Sequence, residues 1–256
     1  MEFFKYQGAG NDFIIVDLRK KQEVFSRKVI ETLCDRRFGV GADGLMIFKG
    51  HQEVDFEMVY YNSDGRKSTM CGNGGRCIVQ YAKDQGLISE DAHFIFEDQT
   101  YRAEVFEKYI SLHMQNVYHY DTINEYCCFV DTGSPHHVEF RDSLKGIDAH
   151  KEGRAIRNTY GKDGTNVNFV SKKTEDAFEI LTYERGVEAE TLACGTGITA
   201  AALSAHILSK TSATKLFFEA KGGQLSVEFV RESEGYTQIK LNGPATFVFK
   251  GEIKLS

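Results

Sequence analysis

The sequence predicts an α+β protein of two pseudo-symmetric domains, each a mostly antiparallel sheet or barrel wrapped around a central helix. Three observations support this fold class. Segments of the first half return in the second half, apolar and polar residues alternate in short runs, and one strongly apolar helical stretch occurs in each half. We expect equivalent ends of the two domains to face one cleft, and we place the active site there.

The internal repeat fixes the expected domain boundary. Residues 56–62 (FEMVYYN) resemble residues 178–184 (FEILTYE), 122 positions later. The CGNG motif that begins at Cys71 resembles the CGTG motif that begins at Cys194, 123 positions later. This nearly constant offset is close to half of the 256 residues, so we expect domains at 1–117 and 118–256. The last strand could pack back on the first domain.

Each half contains the same order of local patterns. Phe56, Met58 and Tyr60 alternate with more polar residues, which is typical of a half-buried strand. A polar turn and the C-G-x-G motif follow, and helical spacing then begins. The expected helices lie near residues 26–37, 75–85, 143–157 and 198–209. Further alternating runs predict strands up to the end of each half.

Composition excludes several classes of function. The formal net charge is −6, so electrostatics give no reason to bind nucleic acid or an anionic membrane. No apolar run approaches the roughly 20 residues that span a bilayer. The N-terminal residues lack the basic and apolar pattern of a signal peptide, and we expect a cytoplasmic protein with a small-molecule substrate.

The cysteines are expected to be reduced and to fall into two groups. There is no pair of CxxC motifs, so we expect no structural zinc site and no metal. Cys71 and Cys194 lie in the repeated motif. The remaining thiols lie in apolar helical or strand-like runs and are interpreted as core residues: Cys34, Cys77, Cys127 and Cys128.

The C-G-x-G motif places each sulfur just before the N-terminus of an apolar helix. The free N–H groups there favour negative charge, which promotes the thiolate and could hold a carboxylate. The glycines allow a ligand to approach the backbone. Two such sulfurs on opposite faces of one carbon could remove a proton from one side and return a proton from the other. We therefore predict that Cys71 and Cys194 are an acid/base pair.

The chain resembles the diaminopimelate epimerase family along nearly its whole length. The matching segments are residues 5–13 (KYQGAGNDF), 62–65 (NSDG), 70–77 (MCGNGGRC), 132–136 (TGSPH), 164–169 (GTNVNF), 183–186 (YERG) and 190–197 (ETLACGTG). The resemblance implies cofactor-independent interconversion of LL- and meso-2,6-diaminopimelate, in lysine and peptidoglycan precursor synthesis. It implies no pyridoxal phosphate and a homodimer.

The resemblance also implies roles for particular residues. Cys71 and Cys194 would be the acid and base, and His136 and Glu184 would lie beside the reacting carbon and tune it. Arg185 would pair with the distal carboxylate. The other implied substrate-binding residues are Asn11, Asn62, Gly72, Asn73, Asn166, Glu184, Gly195 and Thr196. The chain departs from the family pattern at Gly44, where some members carry Gln, and at Ser134, where many members carry Asn.

Other interpretations stay open at this point. A proline or hydroxyproline racemase would also use two cysteines, but Arg185 favours a substrate with a second carboxylate. A non-catalytic protein or a phenazine-synthesis-like isomerase of the same fold would be expected to lack one or both cysteines, and both are present. Without the family, Asn11 could simply form a turn, and Glu184 with Arg185 could be a surface ion pair. Arg76 and Lys83 are read as solvated helix charges.

Overall fold

The computed structural model describes residues 1–20 and 23–254 and divides the chain into two compact units. The first unit comprises Met1–Leu112 and Gly243–Ser256, and the second comprises His113–Asn242. The division between the units thus follows Leu112, five residues before the expected domain boundary. The C-terminal segment belongs to the first unit because its strand pairs with the N-terminal strand from Glu2↔Glu252 to Gln7↔Thr246.

The described ranges contain four helices and 17 strands. The helices are α1 (Arg27–Cys34), α2 (Gly72–Asp84), α3 (Ala149–Thr159) and α4 (Gly195–Ile207). The strands are β1 (Glu2–Gly8), β2 (Asn11–Asp17), β3 (Gly44–Lys49), β4 (Phe56–Asn62), β5 (Asp91–Phe96), β6 (Gln99–Val105), β7 (Ile110–His113), β8 (Tyr120–Thr122), β9 (Cys127–Asp131), β10 (Pro135–Phe140), β11 (Asn166–Lys172), β12 (Ala177–Glu184), β13 (Ala189–Thr191), β14 (Lys215–Ala220), β15 (Gly223–Arg231), β16 (Tyr236–Gly243) and β17 (Thr246–Glu252).

The first unit is a mixed, mostly antiparallel sheet. β17, β1 and β2 pair antiparallel in succession, and β2 then pairs parallel with β3. β3 pairs antiparallel with β4, and β4 pairs parallel with β5. β5, β6 and β7 complete the sheet as an antiparallel series. The helix α2 packs on this sheet against β1 and β2.

The second unit repeats this topology. β8, β9 and β10 pair antiparallel, and β10 pairs parallel with β11. β11 pairs antiparallel with β12, and β12 pairs parallel with β14. β14, β15 and β16 finish as an antiparallel series, while the short β13 pairs with β12. The same sequence of antiparallel and parallel steps in both units confirms the predicted pseudo-symmetric α+β fold.

The two central helices are largely buried, and most of their buried side chains are small or apolar, with Asn73 and Arg76 in α2 as polar exceptions. In α4, every residue from Gly195 to Ala205 is buried. In α2, Gly75 allows close packing, since a Cβ there would lie 3.1 Å from Leu112 Cδ2. Both helices begin three residues earlier than their spacing predicted, at Gly72 and Gly195, because the glycines of the motif already have helical conformation.

The two outer helices are confirmed with shorter bounds than expected. Ser26 caps α1 by accepting a hydrogen bond from Val29 N at 3.3 Å. α3 begins at Ala149 and not near residue 143, because Asp148 is the N-cap and accepts from Lys151 N at 2.9 Å. No helix in the described ranges is long and apolar enough to cross a membrane.

Candidate active site

Cys71 is the N-cap residue of α2. Its backbone is extended, with φ −106° and ψ 115°, and its sulfur accepts a hydrogen bond from Gly74 N at 3.5 Å. The side chain is partly exposed. The first turn of the helix therefore presents an N–H donor to the sulfur, which favours its negatively charged form.

Cys194 occupies the equivalent N-cap position of α4. Its φ of −114° and ψ of 112° nearly equal those of Cys71, and it is also partly exposed. Its sulfur lies 3.4 Å from Thr196 Oγ1, within hydrogen-bond distance for a sulfur atom. The other cysteines are buried free thiols, as expected of core residues: Cys34, Cys77, Cys127 and Cys128.

A chain of amides connects α2 to a carboxylate. Asn73 Nδ2 donates to Asn11 Oδ1 at 2.5 Å, and Asn11 Nδ2 donates to Asp43 Oδ2 at 3.0 Å. Asp43 also accepts from Arg36 Nη2 at 2.8 Å. The structure thus brings together two predicted substrate-binding residues, Asn11 and Asn73, and fixes the orientation of both amides.

Asp12 anchors the other side of this network. Burial opposes its ionisation, but hydrogen bonds from Arg36 and Lys5 outweigh that effect and lower the pKa of Asp12 to about 2. Its Oδ2 lies 2.7 Å from Lys5 Nζ, and the side chain of Lys5 is almost fully buried. The Asn11 turn is therefore held by ionised groups at neutral pH.

Arg76 is fully buried, so its reading as a solvated helix charge is wrong. Its guanidinium donates to Gly72 O at 3.1 Å, to Asn73 Oδ1 at 2.6 Å and to Pro244 O at 3.5 Å. Burial lowers the pKa of Arg76 to about 10, and the nearby Cys77 and Cys71 thiols partly oppose this shift. The group stays cationic at neutral pH and places a positive charge behind the N-terminus of α2.

His136 lies beneath the N-terminus of α4 and is completely buried. Its Nδ1 is 2.8 Å from Asn168 Oδ1, and its Nε2 is 2.9 Å from Thr196 Oγ1. Asn168 Nδ2 donates to Thr182 Oγ1 at 2.8 Å. Burial lowers the pKa of His136 to about 4, with a further decrease from Arg185 and an opposing effect of Asn168. The imidazole is therefore neutral at physiological pH.

These contacts define a direction for the hydrogen bonds. Asn168 Oδ1 can only accept, so His136 Nδ1 carries the proton and Nε2 is an acceptor. Thr196 then donates its single hydroxyl proton to His136 Nε2, and its oxygen can accept from Cys194. This direction favours a protonated sulfur at Cys194. The Thr196 hydroxyl therefore connects His136 with Cys194.

The remaining predicted residues of the second unit surround the end of β12. Asn166 Oδ1 accepts from Arg185 N at 2.9 Å, and Asn166 Nδ2 donates to Ser134 Oγ at 2.9 Å and to Pro135 O at 3.1 Å. The guanidinium of Arg185 donates to Asp163 O at 3.1 Å. Glu184 is the last residue of β12 and is half-buried. The shorter side chain of Ser134 thus still reaches Asn166.

In the first unit, Asn62 ends β4 and is exposed. Asn62 pairs in register with Gly44. Neighbouring atoms leave no room for a side chain at Gly44. A Cβ at Gly44 would lie 2.5 Å from Tyr60 Cε2 and 2.6 Å from Tyr61 O. A larger residue at this position would require Tyr60 to move.

Sequence reasoning missed Asp43 and Arg76, which position Asn11 and Asn73. Both residues are polar, but only the folded structure reveals which polar side chains contact Asn11 and Asn73. Thr132 was also missed as a contact of α4, and its hydroxyl donates to Thr196 O at 2.9 Å.

Comparison with solved structures identifies the class of fold. A crystal structure of a Bacillus anthracis phenazine biosynthesis protein of the PhzF family matches with a TM-score of 0.78, covering 100% of this chain and 99% of that one. The sequence identity is 14%, so this likeness defines the fold alone.

Sequence comparison identifies the family within this fold. The diaminopimelate epimerase family model matches residues 3–105 and 128–248. The chain is 48% identical to diaminopimelate epimerase from Flavobacterium psychrophilum, with 99% of this chain and 100% of the relative covered. It is 43% identical to diaminopimelate epimerase from Chlorobaculum tepidum, with coverages of 97% and 99%. The chain belongs to the diaminopimelate epimerase family.

Proposed function

We propose that the protein interconverts LL- and meso-2,6-diaminopimelate by two-base catalysis with Cys71 and Cys194. The observation that carries this proposal is the pair of cysteines at equivalent N-cap positions, each next to hydrogen-bonding groups, in a chain of this family. Two-base inversion requires that both sulfurs face the same α-carbon from opposite sides.

In the proposed reaction, one thiolate removes the α-proton and becomes a thiol, which leaves a carbanion on the substrate. The opposite thiol gives its proton to the other face of that carbon and becomes a thiolate. No oxidant or cofactor is consumed, and the two sulfurs exchange protonation states in each turnover. The N–H groups of the first helical turns, at Gly72, Asn73, Gly195 and Thr196, stabilise the α-carboxylate as negative charge develops.

The surroundings of the two sulfurs favour different resting states. Cys71 accepts from Gly74 N and lies near the buried cation Arg76, which favours the thiolate. Cys194 can donate into Thr196, which in turn donates to neutral His136. The resting enzyme would therefore bind the isomer whose α-proton faces Cys71. The reverse reaction needs the opposite protonation state, with Cys71 as the thiol and Cys194 as the thiolate.

Substrate specificity is assigned to the polar groups around these helices. We place Asn11, Asn62, Asn73 and Asn166 on the substrate's polar groups and Arg185 on its distal carboxylate, which suits a guanidinium. Glu184 would accept a hydrogen bond from a substrate amine. A proline racemase would need an apolar pocket in place of this charged and amide-rich set.

Deuterium incorporation from solvent tests the substrate directly. The purified enzyme is incubated in deuterium oxide with LL-diaminopimelate, and proline and glutamate serve as controls. We expect deuterium at the α-carbon of diaminopimelate alone. Labelling of proline or glutamate without diaminopimelate would contradict the proposed substrate.

We further propose a cytoplasmic homodimer that works without a cofactor and does not bind nucleic acid or membranes. The apolar side chain of Val248 on β17 is exposed by 50%, and a second subunit could cover it. Sedimentation at micromolar concentration should give twice the mass of one chain, and Val248→Lys should shift the protein toward the monomer. A monomeric wild-type protein would contradict the dimer.

A further inference from the structure

A second cluster of metal-ligating side chains lies in the second unit, on β9 and β10. Within the described ranges, Cys127, His137 and Glu139 form one group whose sulfur, imidazole nitrogen and carboxylate oxygen all lie within 4.8 Å of one another. The antiparallel pairing of Cys127 with Glu139 brings them together, and His137 lies on the same face two residues before Glu139. None of the three has a role in the proposed reaction.

His137 is oriented like a metal ligand. Its side chain is only 9% exposed, and its Nε2 faces Glu139 Oε2 at 3.6 Å, which is longer than an ordinary hydrogen bond. Its Nδ1 is 2.8 Å from Tyr160 Oη, which can accept the proton of that nitrogen. This arrangement leaves the Nε2 lone pair directed into the cluster. An imidazole whose other nitrogen is held by an oxygen is the usual arrangement at metal sites.

The separation of the ligand atoms fits a tetrahedral ion. His137 Nε2 lies 3.6 Å from Glu139 Oε2. Zinc binds nitrogen and oxygen at about 2.0–2.2 Å, so two ligands at tetrahedral corners are about 3.4 Å apart. A direct hydrogen bond between the same atoms would be clearly shorter. The observed distance leaves room for an ion between them.

The local charges also balance a divalent cation. Arg141 Nε lies 2.6 Å from Glu139 Oε1, which leaves Oε2 for the cluster. Arg141 also pairs with Glu152, whose Oε2 is 3.3 Å from Nη2. Glu139 and Glu152 together carry one more negative charge than Arg141 compensates, and a Cys127 thiolate bound to the metal would bring this excess to two.

We propose that Cys127, His137 and Glu139 bind one divalent cation of the zinc class, with water as the fourth ligand. Thiolate, imidazole and carboxylate together are typical ligands of zinc. Binding releases the Cys127 proton to solvent and joins the start of β9 to the middle of β10. The ion would stabilise the second unit without entering the epimerase reaction.

Cobalt titration tests this site, because a thiolate bound to Co²⁺ gives a charge-transfer absorption band. The titration uses the chelator-treated Cys71→Ser/Cys194→Ser variant, in which the reactive thiols cannot compete. We expect one Co²⁺ per chain and loss of the band when Zn²⁺ is added. We also expect Zn²⁺ to raise the melting temperature of this variant, since an ion that binds only the folded state stabilises it.

Cys128 provides a matched control, because successive strand residues point to opposite faces. In the same background, Cys127→Ser should abolish the band, whereas Cys128→Ser should keep it. His137→Gln and Glu139→Gln should lower the association constant at least tenfold, and Tyr160→Phe should lower it about tenfold. The melting temperature without metal verifies the folding of each variant. Absence of a saturable 1:1 band, or a band that survives Cys127→Ser, would overturn the site.

Discussion

Gly74 and Gly197 occupy equivalent positions in the first turns of α2 and α4, but they rest on different side chains. A Cβ at Gly74 would lie 3.3 Å from Met46 Sδ and 3.6 Å from Phe13 Cε1. A Cβ at Gly197 would lie 2.5 Å from Asn168 Nδ2 and 3.2 Å from His136 Cε1. The layer beneath the first helix is therefore apolar, and the layer beneath the second is polar and hydrogen-bonded.

The charge distribution is also different. Arg76 donates to Gly72 O in α2, and its equivalent in α4, Thr199, donates to Gly195 O at 3.0 Å. The first helix thus has a buried cation at the position where the second has a neutral hydroxyl. The two N-caps share nearly the same backbone angles, while each sulfur has its own electrostatic environment. We interpret this difference as one acceptor site and one donor site.

The largest expected effect comes from removing either sulfur. Cys71→Ala and Cys194→Ala should each lower kcat for epimerisation at least about 10³-fold, because each removes a group that transfers a proton. Circular dichroism should report unchanged folds. If one variant kept more than a tenth of the activity, the two sulfurs would not both be required.

Acid should destabilise the second unit through His136. Between pH 6.5 and 4 the unfolded imidazole binds a proton and the buried one does not, so stability falls as pH falls through this window. As pH falls through this window, the lowered pKa of His136 reduces the free energy of unfolding by about 3 kcal/mol in all, and above pH 6.5 it has no effect. Urea unfolding at pH 7 and 4.5 should show a smaller loss for His136→Gln than for wild type. If wild type and His136→Gln lost the same free energy of unfolding, the folded His136 would also bind a proton in this pH range.

Arg76 should control Cys71 more than Cys194. Arg76→Met removes the buried cation, and we expect about tenfold slower alkylation of Cys71 at pH 7, with Cys194 nearly unchanged. Peptide mass spectrometry can follow both sites in one sample. Arg76→Lys keeps the charge and should preserve most of the reactivity, and Thr199→Val is the matched control in α4. Equal slowing of both cysteines would contradict a local charge effect.

The smallest predicted effects concern the amides that we predict to bind substrate. Asp43 is a carboxylate partner of Asn11, whereas Asn166 donates to both Ser134 and Pro135 O. Asp43→Asn should therefore raise KM about tenfold, and Ser134→Ala should raise it only about twofold, because Pro135 O still accepts. Both variants should keep kcat within a factor of three. A larger effect of Ser134→Ala would reverse the expected ranking.

The sequence was informative where local patterns repeat. The strand of Phe56, Met58 and Tyr60 and the helices after each C-G-x-G motif were confirmed, because period and apolar character are local properties. The start of α3 was misplaced because the capping role of Asp148 is hard to distinguish from a polar turn. The burial of Arg76 was missed because charged side chains are normally exposed to solvent. In the folded protein, hydrogen bonds to Gly72, Asn73 and Pro244 replace the contacts of its guanidinium with water.

Contacts between distant residues could not be read from spacing. Cys127 and His137 are ten positions apart and match no metal motif, yet strand pairing places them on one face. Likewise, the link from Asn11 to Asp43 depends on the pairing of β2 with β3. The roles of the substrate-binding residues stay predictions.

The position of the first deuterium atom tests two-base inversion most directly. LL-diaminopimelate is converted in deuterium oxide, and both isomers are isolated at low conversion. If the proton leaves to one sulfur and a deuteron arrives from the other, newly formed meso-diaminopimelate carries deuterium at the inverted carbon and the remaining LL isomer does not. Equal labelling of both isomers, or meso product that retains the substrate proton, would contradict the mechanism.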